Sequence, residues 1–418
     1  MVHMLLRGCH NLQNLRIFTF GALLTLTGAH TAAGSTAVPE AMRDVLLVGN
    51  NWDGTAEVID VREFRPLLKI NVIPDRAERM AEINANPIRW TVFQFIRGQV
   101  GEGNDQFVDD LYASVDGREI YVSRPSFGDV VAIQVATGQI RWRTRVEGHR
   151  ADHMAISPDG TSLVVSASTA KVAHIINTLS GQITATFPTG DQPHENTYSR
   201  DGSIIFNASI GSIFTPLDEP WLDWTKGNRY LQILDAKTLQ VRRKIKMGEK
   251  LAAFGMKGMS SSVRPMALSP DERFLYLQVS FFHGFIEYDL ELDQVTRVAH
   301  LPIAEEISKL RRDQYILDSA HHGIAISGDG TKLCVAGTMS NYAAIVSRET
   351  FQYRIHPLGA RTYWATTSAD GRYCYVSVAG DDSVAIFSYE SEEEVARIPV
   401  GNHPQRARTG RLAEDMFR

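Results

Sequence analysis

The stretch His153-Met-Ala-Ile-Ser-Pro-Asp-Gly160 decides how this chain is read, because its last four residues recur along the sequence. Ser-x-Asp-Gly appears at Ser114–Gly117, Ser157–Gly160, Ser199–Gly202, Ser327–Gly330 and Ser368–Gly371, and Ser269–Glu272 is the same segment with Glu in the glycine's place. The aspartates, Asp116, Asp159, Asp201, Asp271, Asp329 and Asp370, follow a base period of about 42 residues, stretched on either side of Asp271. Self-similarity at that period marks propellers and solenoids. Apolar stretches such as Met154–Ile156 and Ile324–Ile326 precede the turns. Alternating runs such as Leu163–Ser166, Phe274–Val279 and Arg372–Val378 follow them. Period-two alternation of β-branched and aromatic residues is strand behaviour. Asp-Gly between two such runs is a hairpin signal, because Gly tolerates φ > 0.

A third strand in each unit ends near a polar residue, as at Asp60, Gln134, Asn177, Asp235 and Asp289, and turns into a fourth. Four strands make one propeller blade. The chain ends complete each other. Val45–Gly49 reads as a second strand with no hairpin before it, and Asn402–Gly410 as a first strand with nothing after it. The spacing therefore predicts an all-β, seven-bladed β-propeller whose C-terminal strand closes the ring by completing blade 1, which removes open sheet edges.

On the segments His153–Gly160, His322-Gly-Ile-Ala-Ile-Ser-Gly-Asp-Gly330 and Pro399-Val-Gly-Asn-His-Pro-Gln405, the chain resembles the YVTN-repeat, YncE-like family of seven-bladed propellers over about Val45–Arg411. The resemblance implies the fold and says little of activity, since fold does not fix function. Trp52-Asp53 is not a WD signature, because it falls in a turn.

Of the 418 residues, 44% are hydrophobic and 22% charged, which fits a folded chain rather than a low-complexity one. The net charge of −5 offers no basic excess for a nucleic-acid backbone, so nucleic acid is not expected as a partner. No apolar run reaches the ~18–20 residues of a membrane span. Arg7 and Arg16, the apolar run Ile17–Leu26 and the small residues from Ala32 to Ala37 have the order of a secretory signal peptide. Residues 1–33 are expected to be removed, leaving 34–418 as one propeller domain in a secreted or periplasmic protein. Cys334 and Cys374 then stay in the mature chain; equivalent strands of neighbouring blades diverge, so both are expected as buried free thiols.

First strands line a propeller's channel. Stepping back seven residues from each turn aspartate gives Asp109, Asp152, His194, Arg264, His322 and Tyr363, with Gln405 as the blade 1 equivalent. One residue on stand Asp110, His153, Glu195, Pro265, Gly323, Trp364 and Arg406, and His321 and His403 flank the level. Mixed ionisable groups converging on one funnel mark a candidate site, although a water-filled channel also favours polar residues. His153, His194 and His322 with Glu195 could hold a divalent metal such as Mn, Zn, Fe or Ca. Equally, His194, His322, Glu195 and Tyr363 could act as acid and base while Arg264 holds a substrate anion. Asp109, Asp152, Gln405, Arg406 and Trp364 would complete substrate binding.

Four segments exceed the base repeat: 76–105, 212–226, 249–262 and 303–318. Each precedes a first strand or follows a second, so all open on the face carrying the polar ring. Trp90, Trp221 and Trp224 in the insertions, with His283 in a short loop, suit a lid over an organic ligand. Glu305–Leu310 and Asp75–Ile83 read as short helices.

No GxSxG, P-loop, GxGxxG or CxxCH segment occurs, so no organic cofactor is expected. The leading expectation is a lyase, isomerase or hydrolase acting on a small anionic or sugar-like molecule, metal-assisted. Metal-dependent polysaccharide lyases and virginiamycin B lyase-like proteins use the same architecture, though their motifs have no match here. The alternative is a non-catalytic propeller that binds or scaffolds a protein or redox partner, which the YncE-like resemblance favours.

Overall fold

The computed structural model describes residues 41–213 and 220–418. The expected signal segment, residues 1–33, lies outside them. Among the described residues the chain forms seven antiparallel four-stranded sheets. In blade 1 the order is Pro404–Ala413, Met42–Asn50, Thr55–Asp60 and Arg65–Asn71, so the C-terminal strand pairs beside Met42–Asn50 and closes the ring. The other blades run in simple sequence order, each led by its innermost strand: Leu111–Ala113, Ala151–Ile156, Pro193–Tyr198, Val263–Leu268, Gly323–Ile326 and Thr362–Thr367. Innermost strands of successive blades adjoin one another. Second and third strands are almost wholly buried, while fourth strands such as Ile183–Pro188 alternate towards solvent.

The Ser-x-Asp-Gly repeat has a physical cause. In each turn the serine hydroxyl donates to the aspartate two residues on, at 2.6 Å for Ser114–Asp116, Ser157–Asp159, Ser327–Asp329 and Ser368–Asp370 and 2.7 Å for Ser199–Asp201. That carboxylate also accepts the N–H of the residue two further on, as from Thr161 and Ser203. The fourth position has φ near +70° in the glycine turns, and Glu272 takes the same left-handed conformation at +55°.

Antiparallel order puts the start of each first strand and the end of each second strand at one edge, so all four insertions emerge on one face. The first folds into helices Arg76–Asn84 and Pro87–Gln99; only the former was expected from the sequence. Ile83 of the first helix and Phe93 of the second pack into the apolar layer of blades 1 and 2 with Phe107 and Phe127. The others carry short helices at Pro220–Lys226, Met247–Ala253 and Glu305–Ser308. They are tied together. Lys226 Nζ meets Asp318 at 3.2 Å, and Arg312 donates to Gly258 O at 3.5 Å. Among the described residues no helix is long and apolar enough to cross a membrane.

The expectation of two free thiols is corrected. Cys334 and Cys374 form a disulfide with Cα atoms 6.4 Å apart, inside the ~7 Å limit. They are not equivalent positions. Cys334 stands five residues after Asp329 and Cys374 four after Asp370. Because strand side chains alternate, this offset of one turns the two thiols to opposite faces of their own blades, and so towards each other across the shared layer of blades 6 and 7. The bond spans 40 residues, so double Cys334→Ala, Cys374→Ala substitution is expected to cost about 2–4 kcal/mol. Urea unfolding of both proteins measures this, and denatured wild type should take up alkylating reagent at these positions only after reduction.

Candidate functional site

Register explains how two successive residues per blade reach the axis. Ala151 pairs with Ala167 and Met154 with Val165, so Asp152 and His153 together oppose the single residue Ser166. In the same way His194-Glu195 oppose Ala208, Arg264-Pro265 oppose Gln278, Tyr363-Trp364 oppose Ser377 and Gln405-Arg406 oppose Gly49. In blade 2 the N–H of Asp109 donates to Ser123 O and the N–H of Ser123 to Asp110 O; in blade 6 His322 donates to Ala336 O. These are β-bulges, which re-aim side chains beside functional sites. A regular strand would send neighbours to opposite faces. Two residues ahead of three bulges, Gln192, Arg361 and His403 sit at φ +49°, +60° and +57°. Gly323 is required where it stands, since a Cβ there would lie 2.6 Å from the Ala365 nitrogen of the next inner strand.

The bulges bring three imidazoles together. His153 and His194 ring centres lie 3.6 Å apart, His194 and His322 5.4 Å, and His153 and His322 6.1 Å. One nitrogen from each falls within 4.8 Å of the others. Asp109, Asp152 and His153 make a second such group. His153 Nδ1 meets Glu195 at 2.7 Å, while its Nε2 faces Asp109 and Asp152, each at 3.7 Å. A carboxylate accepting from Nδ1–H leaves the Nε2 lone pair for a ligand. Glu195 therefore supports His153 and is not in the three-imidazole group. Arg406 Nη2 contacts His153 Nε2, and its guanidinium lies 4.2 Å over the Trp364 ring. Tyr363 stacks on His322 at 4.4 Å. All these groups are buried, Tyr363 being the most exposed at 8%.

Burial sets the electrostatics. It holds the pKa of His153, His194 and His322 well below the ordinary value, with Arg406 adding to the effect at all three. Neutral imidazole is the metal-binding form. Burial likewise pushes Asp109 up to about 7 against the pull of Arg406, and Glu195 up to about 7 against Arg408 and Arg406. Burial also raises the Tyr363 phenol and lowers Arg264. Burial works against the charge of Arg406, but Asp109 and Tyr363 more than offset it.

Among the described residues, several polar atoms at this centre have no hydrogen-bond partner: His194 Nδ1, His322 Nδ1, Asp109 Oδ2, Asp152 Oδ1, and Arg406 Nε and Nη1. A buried unpaired polar group costs about 1–3 kcal/mol, so so many together fit a ligand site better than a structural staple.

Other expected site residues lie elsewhere. Arg264 donates from Nε to Ser280 Oγ at 3.0 Å and from Nη2 to Leu317 O, which fixes the fourth insertion. Gln405 accepts from Asn51 and joins the closing strand to blade 1. His283 meets the Tyr315 hydroxyl at 3.0 Å and its ring is 5.7 Å from His321, in a separate buried group. Trp90, Trp221 and Trp224 are 48%, 72% and 77% exposed on the rim. Asp110 is buried and takes the fork of the partly buried Arg408 at 2.7 and 2.8 Å, which clamps the closing strand to blade 2.

Two residues outside the expected set matter. Arg150 pairs with Asp152, and Arg408 lies 4.8 Å over Trp364. Their signals were spacing alone: Arg150 stands two before Asp152, and Arg408 two after Arg406. Beside Arg150, a cavity of about 240 Å³ opens between the helix Pro87–Gln99 and blades 3 and 4, lined by Phe95, Ile96, Val100 and Gln192. Larger clefts of about 470 and 630 Å³ lie on the opposite face, between hairpin turns of neighbouring blades and away from the histidines.

The fold and site together define a seven-bladed β-propeller with a buried histidine–carboxylate centre on its axis. No family model and no curated protein matches the chain. Among solved structures it is similar to a chain of hydrazine synthase from Kuenenia stuttgartiensis, with TM-score 0.57 and 15% identity over 87% of this chain and 99% of that one. At that identity the likeness is one of fold.

Burial pushes His283 down to about 4. The unfolded chain then takes up a proton first as pH falls from about 6.5 towards 4, so stability from this group is present above 6.5 and lost on acidification. His283→Gln should flatten the acid limb of a denaturation profile by about 1–2 kcal/mol across that window, after allowance for solvent screening.

Proposed function

We propose that this chain is an exported seven-bladed β-propeller that holds a first-row divalent metal ion on His153, His194 and His322 and acts on a small anionic molecule there. The observation that carries the reading is the convergence of three buried neutral imidazoles, two of them with an unpaired Nδ1. Imidazole donors suit zinc, manganese or iron, whereas calcium takes oxygen ligands, so three histidines weigh against calcium. Glu195 orients His153, and Asp109 and Asp152 face the same His153 nitrogen. When bound, such an ion would polarise an oxygen of a bound molecule as a Lewis acid. Asp109, with a pKa near 7, can hold or release a proton at neutral pH. A Lewis-acidic ion beside a proton-transferring carboxylate suits a lyase, isomerase or hydrolase.

Export is supported by the sequence of residues 1–33 and by the Cys334–Cys374 disulfide, which persists in an oxidising compartment such as the periplasm. The YncE-like resemblance supports a second reading, a binding or scaffold propeller for a protein or redox partner. The exposure of Trp90, Trp221 and Trp224 around a closed centre favours it.

Metal analysis of the purified protein tests the first reading. About one equivalent of a first-row metal is expected, lost in the His194→Ala, His322→Ala double variant while the circular dichroism spectrum stays unchanged. Absence of bound metal, with no uptake of added zinc, manganese or iron, would shift the assignment to the scaffold. Glu195→Gln removes the support of His153 and is expected to weaken metal affinity about 10–100-fold in a competition titration.

A further inference from the structure

We infer that the cavity beside the helix Pro87–Gln99 is a binding site for a small monocarboxylate with an apolar body, its head held by Arg150 and its body by the helix. The site needs no metal and does not rest on the axial reading above. Its volume is about 240 Å³, below the ~300 Å³ at which pockets for drug-sized ligands begin, so the occupant is a small molecule. One wall is apolar. Val92, Phe95, Ile96 and Val100 stand at i, i+3, i+4 and i+8, and line the cavity from one helix face. Phe93 of the same helix packs into the apolar layer of blades 1 and 2, to which these four do not belong. Phe95 is 43% exposed, so part of this second stripe is left uncovered by the fold.

The other wall comes from blades 3 and 4 and is rich in donors. Arg150, just ahead of the innermost strand of blade 3, pairs closely only with Asp152. Its contacts to Ser168 Oγ and Gln106 Oε1 are both 3.4 Å, longer than an ordinary hydrogen bond, and its Nε has no partner among the described residues. Five N–H donors let Arg150 keep Asp152 and take a ligand as well. The hydroxyls of Ser168 and Thr169 accept from Arg150 and from the His149 N–H, and each keeps its own proton to donate. Lys171 adds a second cation. Asp191, the one carboxylate among the described lining residues, is already taken by Lys171 at 2.5 Å and by the Asn228 N–H at 2.9 Å. Donors without a spare acceptor call for an anionic head, and a guanidinium matches the two oxygens of a carboxylate. A zwitterionic amino acid fits less well, because its ammonium would find no open acceptor. The helix wall then takes an aryl or branched alkyl body out of water.

Calorimetric titration of the full chain with phenylacetate tests the site, with phenylacetamide as the neutral counterpart and acetate as the head alone. Phenylacetate should bind about tenfold tighter or more than either, since each control loses the contacts of one wall. Prior treatment with EDTA should change nothing. Val92→Phe, which fills the cavity from a half-buried helix position, should abolish binding. Arg150→Gln should weaken it about tenfold or more. Lys171→Met, at an exposed position, should weaken it about threefold and serves if the Arg150 variant does not fold. No phenylacetate binding by wild type, equal binding of phenylacetamide, or binding that survives Val92→Phe overturns the inference. Loss of binding on EDTA treatment overturns it too, by placing the acid on the axial ion, and leaves the metal reading in force.

Discussion

Everything on the axis of this propeller depends on one backbone device, the β-bulge in the innermost strand. Period-two geometry lets a regular strand show every second residue to a channel. The bulges place two consecutive residues against one partner, and so put Asp152 beside His153, His194 beside Glu195, and Tyr363 beside Trp364 at a single level. Seven blades supply the positions, but the extra residue in each inner strand supplies the density of functional groups. The partner opposite is small or polar, as with Ser123, Ser166, Ser377 and Gly49, which leaves space for the crowded side.

Crowding has an electrostatic consequence. Imidazoles, carboxylates and guanidinium groups are brought out of water together, and the charged forms that are best paired survive. Arg408 and Asp110 meet as a fork and are satisfied; the pair clamps the ring shut. Arg264 is committed to an insertion. The three histidines are left neutral and partly unpaired, and Asp109 is held near the midpoint of its titration at neutral pH. The same ring of positions thus divides into groups that hold the propeller together and groups with unused bonding capacity. Only the second kind suits a ligand, and it is concentrated around His153.

The architecture was legible because its signals are local. Ser-x-Asp-Gly fixes a turn through a hydroxyl–carboxylate bond two residues apart and a left-handed fourth position, and the period of those turns counts the blades. The orphan strands at the two ends could pair only with each other. The level of the polar ring was also legible, since a fixed distance from each turn aspartate marks one height on the axis. Which ring members share a site was not. Arg264 and His194 look alike by that count, yet one is occupied by Ser280 and Leu317 and the other is unpaired. His283 and the three tryptophans belong to the loops and insertions of the expected face, where His283 is taken up by Tyr315 and the tryptophans are exposed.

Strand alternation, turn chemistry and repeat spacing act within a few residues, so the chain's order of amino acids was enough to specify seven blades, their closure and the face that carries the insertions. Contacts between blades obey a different rule, because they depend on side-chain direction at positions tens or hundreds of residues apart. The disulfide shows this most simply. One residue of offset between Cys334 and Cys374 turns two apparently equivalent thiols face to face, and only the packed interface of blades 6 and 7 makes that offset count. The centre follows the same logic. Glu195 serves His153 and Arg406 reaches that same ring only because seven bulged strands converge on one axis, where burial decides which groups stay neutral.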